Sequence, residues 1–334
     1  MDIPKSLLEI SQKVGADKLL VQGPGGNISY KNDNILYIKS SGQKLVDAKK
    51  RNIFVKTDLD KILYSIVNDK EDPLDNSWDT EGGLKPSIET TLHALMPFKC
   101  VLHVHCVNTI SWLVRKDFYN SIVPLLKGIK WEVVKYKKPG KQLTNAVREV
   151  VKNDFPEVIL LSNHGLVAGS NSPEEVYQLV KNISNRLAVK PNLIPDLNHT
   201  IKSKYIIDTG YKLPQFEELH KLAFSKQAIS IITGGVLFPD QAVFLGTKWY
   251  ILNDEREINN LKHSNSFKKG IIIFPNKGIL IPFDFQLTEE ELLYSILLIV
   301  QRIPSNTDIN YLTDREENEL LNWNAEKYRK LINK

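Results

Sequence analysis

Cysteine is scarce in this sequence of 334 residues, which contains only two, Cys100 and Cys106. They flank the short apolar segment CVLHVHC. On a strand, their even spacing places both side chains on one face but too far apart along it to bond readily. A disulfide-stabilised scaffold is therefore not expected, and both residues are predicted to be buried free thiols.

Long hydrophobic runs are also missing. The longest, LLYSILLIV at 292–300, is about half the length that a membrane-spanning helix needs. The N-terminal segment MDIPKSLLEI carries an early acidic residue and no apolar stretch of the kind found in secretory signals. These features argue against a membrane protein and predict a cytoplasmic location.

Charge is not concentrated in a way that indicates nucleic-acid binding. The formal net charge is +5, with lysines spread over the whole chain. The densest cluster, KYKKPGK at 135–141, fits a solvated loop better than an anion-attracting patch. The sequence also contains no recognisable nucleic-acid-binding module.

The chain divides most naturally near residue 200. The segment VKPNLIPDLNHTIKSK at 189–204 has the prolines and polar residues of a linker. Before it, apolar strand-like runs alternate with amphipathic helices, which indicates an α/β unit over residues 1–200. After it, residues 205–334 show a mixed pattern, for which support, substrate closure or subunit contacts are expected.

Several elements are predicted from local pattern. The region after the linker also contains His220 and His263, neither of which has a partner at metal-ligand spacing. The predicted elements are a hairpin at 27–42, a helix at 85–98 with Pro86 in its first turn, strands within 100–107 and 157–165, a helix N-capped by Ser172, strands AVFLG (242–246) and WYIL (249–252), a hairpin at 270–281, and helices at 288–303 and 315–333.

The clearest chemical signal is the HVH segment. On a strand, His103 and His105 point to the same face about 6.5–7 Å apart, which lets two imidazoles converge on one ion. A single buried histidine usually satisfies a hydrogen bond, but two on one face would each need a separate buried partner. The pair is therefore as consistent with a metal site as with two ordinary histidines of the hydrophobic core.

A zinc site needs three or four ligands, so neighbouring elements must supply others. His164 stands where a buried strand ends, and Glu89 lies near a helix N-terminus that favours negative charge. Taken alone, His164 also fits an ordinary turn histidine, and Glu89 also fits an ordinary glutamate in the first turn of a helix. His93 shares a helix face with Glu89 and is either a ligand or a residue that supports one. No HExxH is present, which excludes the usual zinc-peptidase arrangement.

The glycine-rich segment QGPGGNISYK at 22–31 is a poor nucleotide loop. It lacks the Lys-Ser/Thr pair of a P-loop, and a strand rather than a helix follows it. A second small-residue turn, SSGQK at 40–44, lies at the far end of the same hairpin. Together with Asn27 and Ser41, the two turns are able to form a nest for one phosphate, although composition alone favours two ordinary turns.

Five segments in one order resemble the class II aldolase/adducin family over roughly residues 1–190. The C-terminal region more loosely resembles rhamnulose-phosphate aldolase-like members, through GGVLFPDQAVFLG and ELLNWNAEKYR. The five segments are GPGGNISYK, LYIKSSGQKL, KPSIETTLH, VLHVHCVNT and ILLSNHGLVAGSNSPEEVY.

The resemblance implies a fold, a metal and a ligand set. The fold is a three-layer α/β/α domain around a central mixed, mainly antiparallel sheet, here with a smaller C-terminal α+β region, and the usual assembly is a homotetramer. The implied cofactor is Zn²⁺ or another divalent metal, and the implied partner is a small-molecule sugar or sugar phosphate. The residues at the family's positions are His103, His105, His164 and Glu89 for the metal, with Glu89 also the proton-transferring base, and Gly26, Asn27, Ser41, Gly42 and Ser87 for the phosphate.

The implied activity is reversible aldol cleavage of a ketose, with a ketose 1-phosphate favoured, through a metal-stabilised enediolate. The same site in this family also supports 4-epimerisation, dehydration or decarboxylation of sugar phosphates. A non-catalytic adducin-like interaction module is disfavoured because all four ligand types are present.

Two departures from the family pattern bear on the substrate and the mechanism. Ile88 stands where the family often has a second serine, which leaves phosphorylation of the substrate open. No catalytic tyrosine is placed, and Tyr119 and Tyr136 are only nearby candidates.

Overall fold

The computed structural model describes residues 3–78, 83–151, 154–194, 198–202, 206, 209–263 and 267–332. Short 3₁₀ segments cover Leu45–Asp47 and Glu217–Phe224, and a π-helical turn covers Gln241–Leu245. The helices are α1 Lys5–Ala16, α2 Leu59–Val67, α3 Thr90–Leu95, α4 Val107–Leu113, α5 Phe118–Ile122, α6 Lys141–Val151, α7 Pro173–Arg186, α8 Lys226–Gly234, α9 Glu257–Lys262, α10 Leu287–Val300, α11 Asp314–Leu321 and α12 Asn324–Leu331. The strands are β1 Asn27–Asn32, β2 Ile35–Lys39, β3 Phe54–Asp58, β4 Cys100–Val104, β5 Trp131–Val134, β6 Val158–Leu161, β7 Gly165–Ser170, β8 Tyr211–Lys212, β9 Trp249–Ile251, β10 Ile271–Phe274 and β11 Gly278–Pro282.

A seven-stranded sheet forms the centre of the molecule, in the order β3-β2-β1-β4-β7-β6-β5. Its neighbouring strands run antiparallel except β5 and β6. The predicted hairpin at 27–42 is confirmed as β1 and β2, which pair around a turn where Asp33 has a φ of 50°. The expectation of a mixed, mainly antiparallel sheet is therefore confirmed.

Helices cover both faces of this sheet. Successive side chains of a strand point to opposite faces, and apolar residues on both faces pack against helices. On β4, Leu102 and Val104 pack in a core with residues of α1 and α7. Val101, on the opposite face, packs in a core with residues of α3 and α6. The three-layer α/β/α arrangement is therefore confirmed, and β4 has helices on both sides.

The C-terminal region forms a smaller four-stranded sheet, in the order β8-β11-β10-β9, together with several helices. Its hydrophobic core is continuous with α4, because Val107, Ile110 and Val114 belong to the same buried cluster as Leu293 and Ile296. The predicted smaller α+β region is present. It packs directly against the first unit.

The predicted linker at 189–204 is only partly within the described residues, because 195–197 and 203–204 lie outside them. In the described part, the Asn192 amide donates to the Gln301 carbonyl at 2.6 Å, and the Thr200 amide donates to the Lys277 carbonyl at 2.9 Å. These parts of the segment therefore lie against the C-terminal elements. The domain boundary near residue 200 stays a prediction.

The predicted start of the helix at 85–98 is wrong, because α3 begins at Thr90. Pro86 forms an isolated bridge with Ser40, and the Ser41 amide donates to the Lys85 carbonyl at 2.8 Å. Pairing with the turn after β2 therefore holds residues 85–87 extended. As a consequence, Glu89 occupies the N-cap position of α3.

Two predictions in the C-terminal region are also wrong. AVFLG forms most of the π-helical turn Gln241–Leu245 rather than a strand. The periodicity of a short buried apolar run does not show whether the run is a strand or a helical turn. The helix predicted at 315–333 is two helices, α11 and α12, because Trp323 between them has extended backbone dihedrals. No glycine or proline marks this break in the sequence.

The strand predicted at 100–107 is shorter than expected, because β4 ends at Val104 and α4 begins at Val107. Several other local predictions are confirmed. Ser172 caps α7 by accepting from the Glu175 amide at 3.2 Å. Strand β9 and the β10–β11 hairpin lie where predicted. Cys100 and Cys106 are free, buried and in one core cluster. No described helix combines the length and apolar content needed to cross a membrane.

Candidate metal centre and active site

The predicted metal ligands come together at one end of three neighbouring strands, β1, β4 and β7. His103 lies on β4, and His105 follows the end of that strand. His164 lies in the turn between β6 and β7. Asn27 opens β1 and is the register partner of His103. Adjacent strands therefore bring residues from distant parts of the sequence to a common point.

The three histidines form a compact group. Their ring centroids lie 4.8 to 5.2 Å apart, and the Nε2 atoms of His103 and His105 are 3.1 Å apart. Each residue is at most 5% exposed. Three imidazoles at this spacing are suited to one metal ion.

Hydrogen bonds indicate which nitrogens are available to a metal. The Nδ1 of His103 lies 3.0 Å from the Leu166 carbonyl oxygen, and the Nδ1 of His105 lies 3.1 Å from Asp240 Oδ2. Because these oxygens only accept, each Nδ1 carries the proton and each Nε2 presents a lone pair.

Two such lone pairs facing each other at 3.1 Å repel unless a cation or a proton lies between them. Burial lowers the pKa of His103 to about 4 and that of His164 to about 3, although Glu89 acts in the opposite direction. These histidines are therefore neutral at pH 7. A divalent cation fits the group better than a proton does.

Glu89 approaches the same point. Its Oε2 lies 3.4 Å from His103 Nε2, and its Oε1 lies 3.5 Å from His164 Nε2. Burial alone would raise the pKa of Glu89. Attraction to the three imidazoles and a 2.8 Å hydrogen bond from Asn27 Nδ2 outweigh burial and lower the pKa of Glu89 to about 2. The carboxylate is therefore ionised. Among the described residues its Oε1 has no hydrogen-bond partner, which suits a metal or a substrate proton.

The structure does not bring His93 into the histidine group. Its Nδ1 lies 2.8 Å from Ser29 Oγ, inside the protein beside β1. Burial lowers the pKa of His93 to about 3, so it is neutral. A supporting role for His93 stays a prediction.

The two small-residue turns meet in one cavity beside the histidines. Asn27 Nδ2 also donates to Ser87 Oγ at 3.2 Å, which links the first turn to the segment before Glu89. Ile88 lines the same cavity. The predicted phosphate-binding residues that line it are Gly26, Asn27, Ser41, Gly42 and Ser87.

Lys39 is a cavity residue that sequence reasoning missed. Its side chain is 2% exposed, and its Nζ donates to the Pro24 carbonyl at 3.1 Å and to the Gln43 carbonyl at 2.6 Å. It therefore ties the two turns together. Burial lowers the pKa of Lys39 to about 7. A signal was available, because a lysine ends the apolar run ILYIK directly before SSGQK.

Three charged residues of the C-terminal region also line the cavity: Asp240, Glu326 and Arg329. Burial would raise the pKa of Asp240, but Arg329 and His105 outweigh it and hold that pKa well below its usual range. No local motif marked these residues. They are distant in sequence, and only tertiary packing brings them to His105.

The cavity is narrow. Its interior has a volume of about 20 Å³, and the space rises to about 390 Å³ when the open mouth is counted. The interior therefore has room for one or two water molecules. The walls of the cavity include Pro139 and residues of the C-terminal region.

Neither candidate for a catalytic tyrosine lines this cavity. Tyr119 is 54% exposed and packs near the ring of Trp131. Tyr136 packs against the C-terminal hydrophobic core, and burial raises its pKa. Among the described residues, no tyrosine lines the cavity beside the histidine group.

A second histidine pair lies in the C-terminal region. The structure brings His199 to His220, with ring centroids 4.4 Å apart, and places Glu217 nearby. His220 Nδ1 accepts from the Ile279 amide at 3.1 Å. The neutral ring therefore carries its proton on Nε2, the nitrogen that faces Glu217 at 4.0 Å. This tautomer does not suit a metal ligand.

The Gly25→Ala variant should weaken metal binding by about ten-fold or more, because His105 would lose its orientation. A Cβ at this position would lie 2.8 Å from His105 Nδ1 and 3.3 Å from Asp240 Oδ2. Chelator competition measures the zinc affinity, and the melting temperature of the metal-free variant checks the fold. A folded variant with unchanged zinc affinity would contradict the interpretation that Gly25 leaves the space needed for the orientation of His105.

Comparison with known families identifies the class of protein. Residues 5–189 match the Class II Aldolase and Adducin N-terminal domain. The match covers more than half of the chain, and the chain belongs to this family. The residues Asp240, Glu326 and Arg329 lie outside the matched region.

Two curated relatives differ in their described activities. The "Uncharacterized oxidoreductase YuxG" of Bacillus subtilis (strain 168) is 31% identical over 195 residues, 53% of this chain and 28% of that protein. The chain thus spans little more than a quarter of that relative. The methylthioribulose-1-phosphate dehydratase of Kluyveromyces lactis is 26% identical over 186 residues, 49% of this chain and 83% of that protein.

Solved structures show partial similarity. The N-terminal class II aldolase domain of a conserved Thermoplasma acidophilum protein has a TM-score of 0.47 and 26% identity, covering 56% of this chain and 93% of that chain. The L-fuculose-1-phosphate aldolase of Thermus thermophilus has a TM-score of 0.38 and 16% identity, covering 55% of this chain and 89% of that chain.

Proposed function

We propose that this protein is a class II aldolase that uses zinc or another divalent metal to cleave a ketose reversibly, with a ketose 1-phosphate as the favoured substrate. The observation that carries the proposal is the convergence of three buried imidazoles and the Glu89 carboxylate beside a cavity lined by two small-residue turns. Membership of the family supports it.

The residues that would hold the metal are His103 and His105, through their Nε2 atoms, and His164, with Glu89 beside them. Three imidazoles and a carboxylate are a donor set that zinc accepts. When bound, a divalent cation would supply Lewis acidity toward the carbonyl and adjacent hydroxyl oxygens of the substrate.

Glu89 is proposed to move the proton. Asn27 Nδ2 holds one carboxylate oxygen at 2.8 Å, while the other oxygen has no hydrogen-bond partner among the described residues. A fixed carboxylate with one available oxygen is suited to accept the proton that carbon–carbon bond cleavage releases and to return it. The buried position also keeps bulk water away from this step.

The anionic group of the substrate is proposed to lie between the two turns. Asn27, Ser41 and Ser87 offer polar side chains there, and Lys39 supplies the positive charge. An anion beside Lys39 favours its protonated form, which opposes the effect of burial on its pKa. Lys39 thereby compensates for the hydroxyl that Ile88 does not provide.

The Lys39→Met variant should raise the KM for a phosphorylated substrate by about ten-fold or more, because a charge-assisted hydrogen bond is lost. The KM for the unphosphorylated analogue should change little. Steady-state kinetics on both compounds measure this difference, with the exposed Lys137→Met as the control. Equal shifts in both KM values would contradict a role for Lys39 in anion binding.

Dehydration of a sugar phosphate is the second candidate activity. The relative from Kluyveromyces lactis named as a methylthioribulose-1-phosphate dehydratase supports it. Both reactions begin with a ketose bound at the same metal and a base that moves a proton, so the ligand set does not separate them.

A substrate panel distinguishes the candidates. Zinc-loaded protein is incubated with phosphorylated and free ketoses, and the products are identified by mass and by coupled assay. We expect dihydroxyacetone phosphate or dihydroxyacetone together with an aldehyde. Loss of water would identify a dehydratase, an isomer of unchanged mass an epimerase, and carbon dioxide from an oxo-acid phosphate a decarboxylase. No reaction with any ketose, despite bound zinc, would contradict the aldolase.

A further inference from the structure

Helix α12 buries charge rather than apolar surface. Its buried side chains are Glu326 and Arg329, while Leu331 on the same helix is 68% exposed. Burying an ion pair contributes little net stability, because desolvation offsets the attraction. The buried face of this helix therefore calls for an explanation other than stability.

Arg329 is directed at Asp240. Its Nη2 donates to Asp240 Oδ2 at 2.9 Å, and its Nη1 lies 2.7 Å from Oδ1. Glu326 lies 3.2 Å from Nη1, and the guanidinium lies 5.2 Å from the centroid of the Phe244 ring. One hydrogen bond to Oδ2 and one ion-pair contact with Oδ1 hold the orientation of the Asp240 carboxylate.

Asp240 in turn is directed at His105. Its Oδ2 lies 3.1 Å from His105 Nδ1. Gly25 leaves the space in which the two side chains meet. A carboxylate that accepts from a metal-binding imidazole fixes the tautomer and the direction of the ring.

We infer that α12 is a positioning element of the metal centre, in which Arg329 holds Asp240 and Asp240 holds His105. The inference rests on metal binding by the three histidines, which is part of the proposed function. It goes beyond that function because Asp240, Arg329 and the helix itself lie outside residues 5–189. The C-terminal region is then required for full metal affinity and is not only a support.

A second contact joins the C-terminal region to the same centre. Asn163, next to His164, has a φ of 55° and donates through Nδ2 to the Leu237 carbonyl at 2.9 Å. Asn310 Nδ2 donates to Asn163 Oδ1 at 2.8 Å. The turn that carries His164 is thus also held from the C-terminal region.

Chelator competition on the full chain tests the inference through zinc affinity, independently of turnover. We expect Asp240→Asn to weaken zinc binding by about ten- to a hundred-fold and Arg329→Met by about ten-fold. Because Arg329 acts through Asp240, the double variant should bind zinc no more weakly than Asp240→Asn alone. The exposed Lys327→Met, on the same helix, is the matched control and should leave the affinity unchanged.

Arg329→Lys guards against a folding defect. It keeps the charge but loses the two-pronged contact, so its affinity should lie between those of the unmodified chain and Arg329→Met. Melting temperatures of the metal-free proteins show which variants are folded. Unchanged zinc affinity in folded Arg329→Met or Arg329→Lys, or losses that multiply in the double variant, would overturn the inference. Failure of the unmodified chain to bind zinc would instead overturn the metal centre itself.

Discussion

Replacing His105 with alanine should remove both metal binding and turnover. The substitution deletes one of three converging imidazole nitrogens, and zinc affinity should fall by roughly a hundred-fold or more. Asp240 keeps its contact with Arg329, so the variant is expected to fold. Elemental analysis after dialysis measures the metal, and the ketose assay measures turnover.

The control for this experiment is His263→Ala, which removes an exposed imidazole that hydrogen-bonds the Asn259 carbonyl. It should retain about one zinc ion per chain and full activity. A His105→Ala protein that still bound zinc tightly and turned over substrate would show that the three-histidine group is not the metal centre.

The Glu89→Gln variant should retain its fold and most of its metal but lose turnover. Glutamine has the shape of glutamate and is able to accept from Asn27 Nδ2, but it does not take up a proton at neutral pH. The loss of a positioned base should lower kcat by about 10²- to 10⁴-fold. Zinc binding should weaken far less than in His105→Ala, because all three histidines remain.

Steady-state kinetics and zinc content on the same preparation separate these effects. Glu132→Gln, at an exposed position on β5, is the control and should behave as the unmodified chain. If Glu89→Gln kept more than about a tenth of the original kcat, another group would have to move the proton, and the role proposed for Glu89 would be wrong.

Local sequence patterns predicted the N-terminal part of the site because its chemistry follows regular geometry. His103 lies on β4 and His105 follows just after its end, and the period-two spacing of a strand directs both rings to one side. His164 precedes a glycine that the turn between β6 and β7 requires, since a Cβ on Gly165 would clash with the backbone of Val104. The spacing of the two histidines and the glycine after His164 are both visible in the sequence, although the reason for the glycine is a tertiary contact.

The residues of the C-terminal region that line the cavity could not be predicted from local sequence patterns. Asp240 lies beside a π-helical turn, and Arg329 lies on a helix whose start no glycine or proline marks. Their meeting with His105 depends on the packing of the C-terminal region against α4. The start of α3 was mispredicted for a related reason, because the bridge between Ser40 and Pro86 is a long-range pairing that overrides local helix preference.

The most direct test of the proposed function is metal removal and restoration on one preparation, with the ketose that responds in the panel as substrate. The protein is stripped with a strong chelator, assayed, and then titrated with zinc while release of the dihydroxyacetone fragment is followed. We expect no turnover in the stripped protein and recovery that saturates at about one zinc ion per chain. Full turnover in strong chelator, with no metal bound to the protein, would contradict metal-dependent cleavage at His103, His105 and His164.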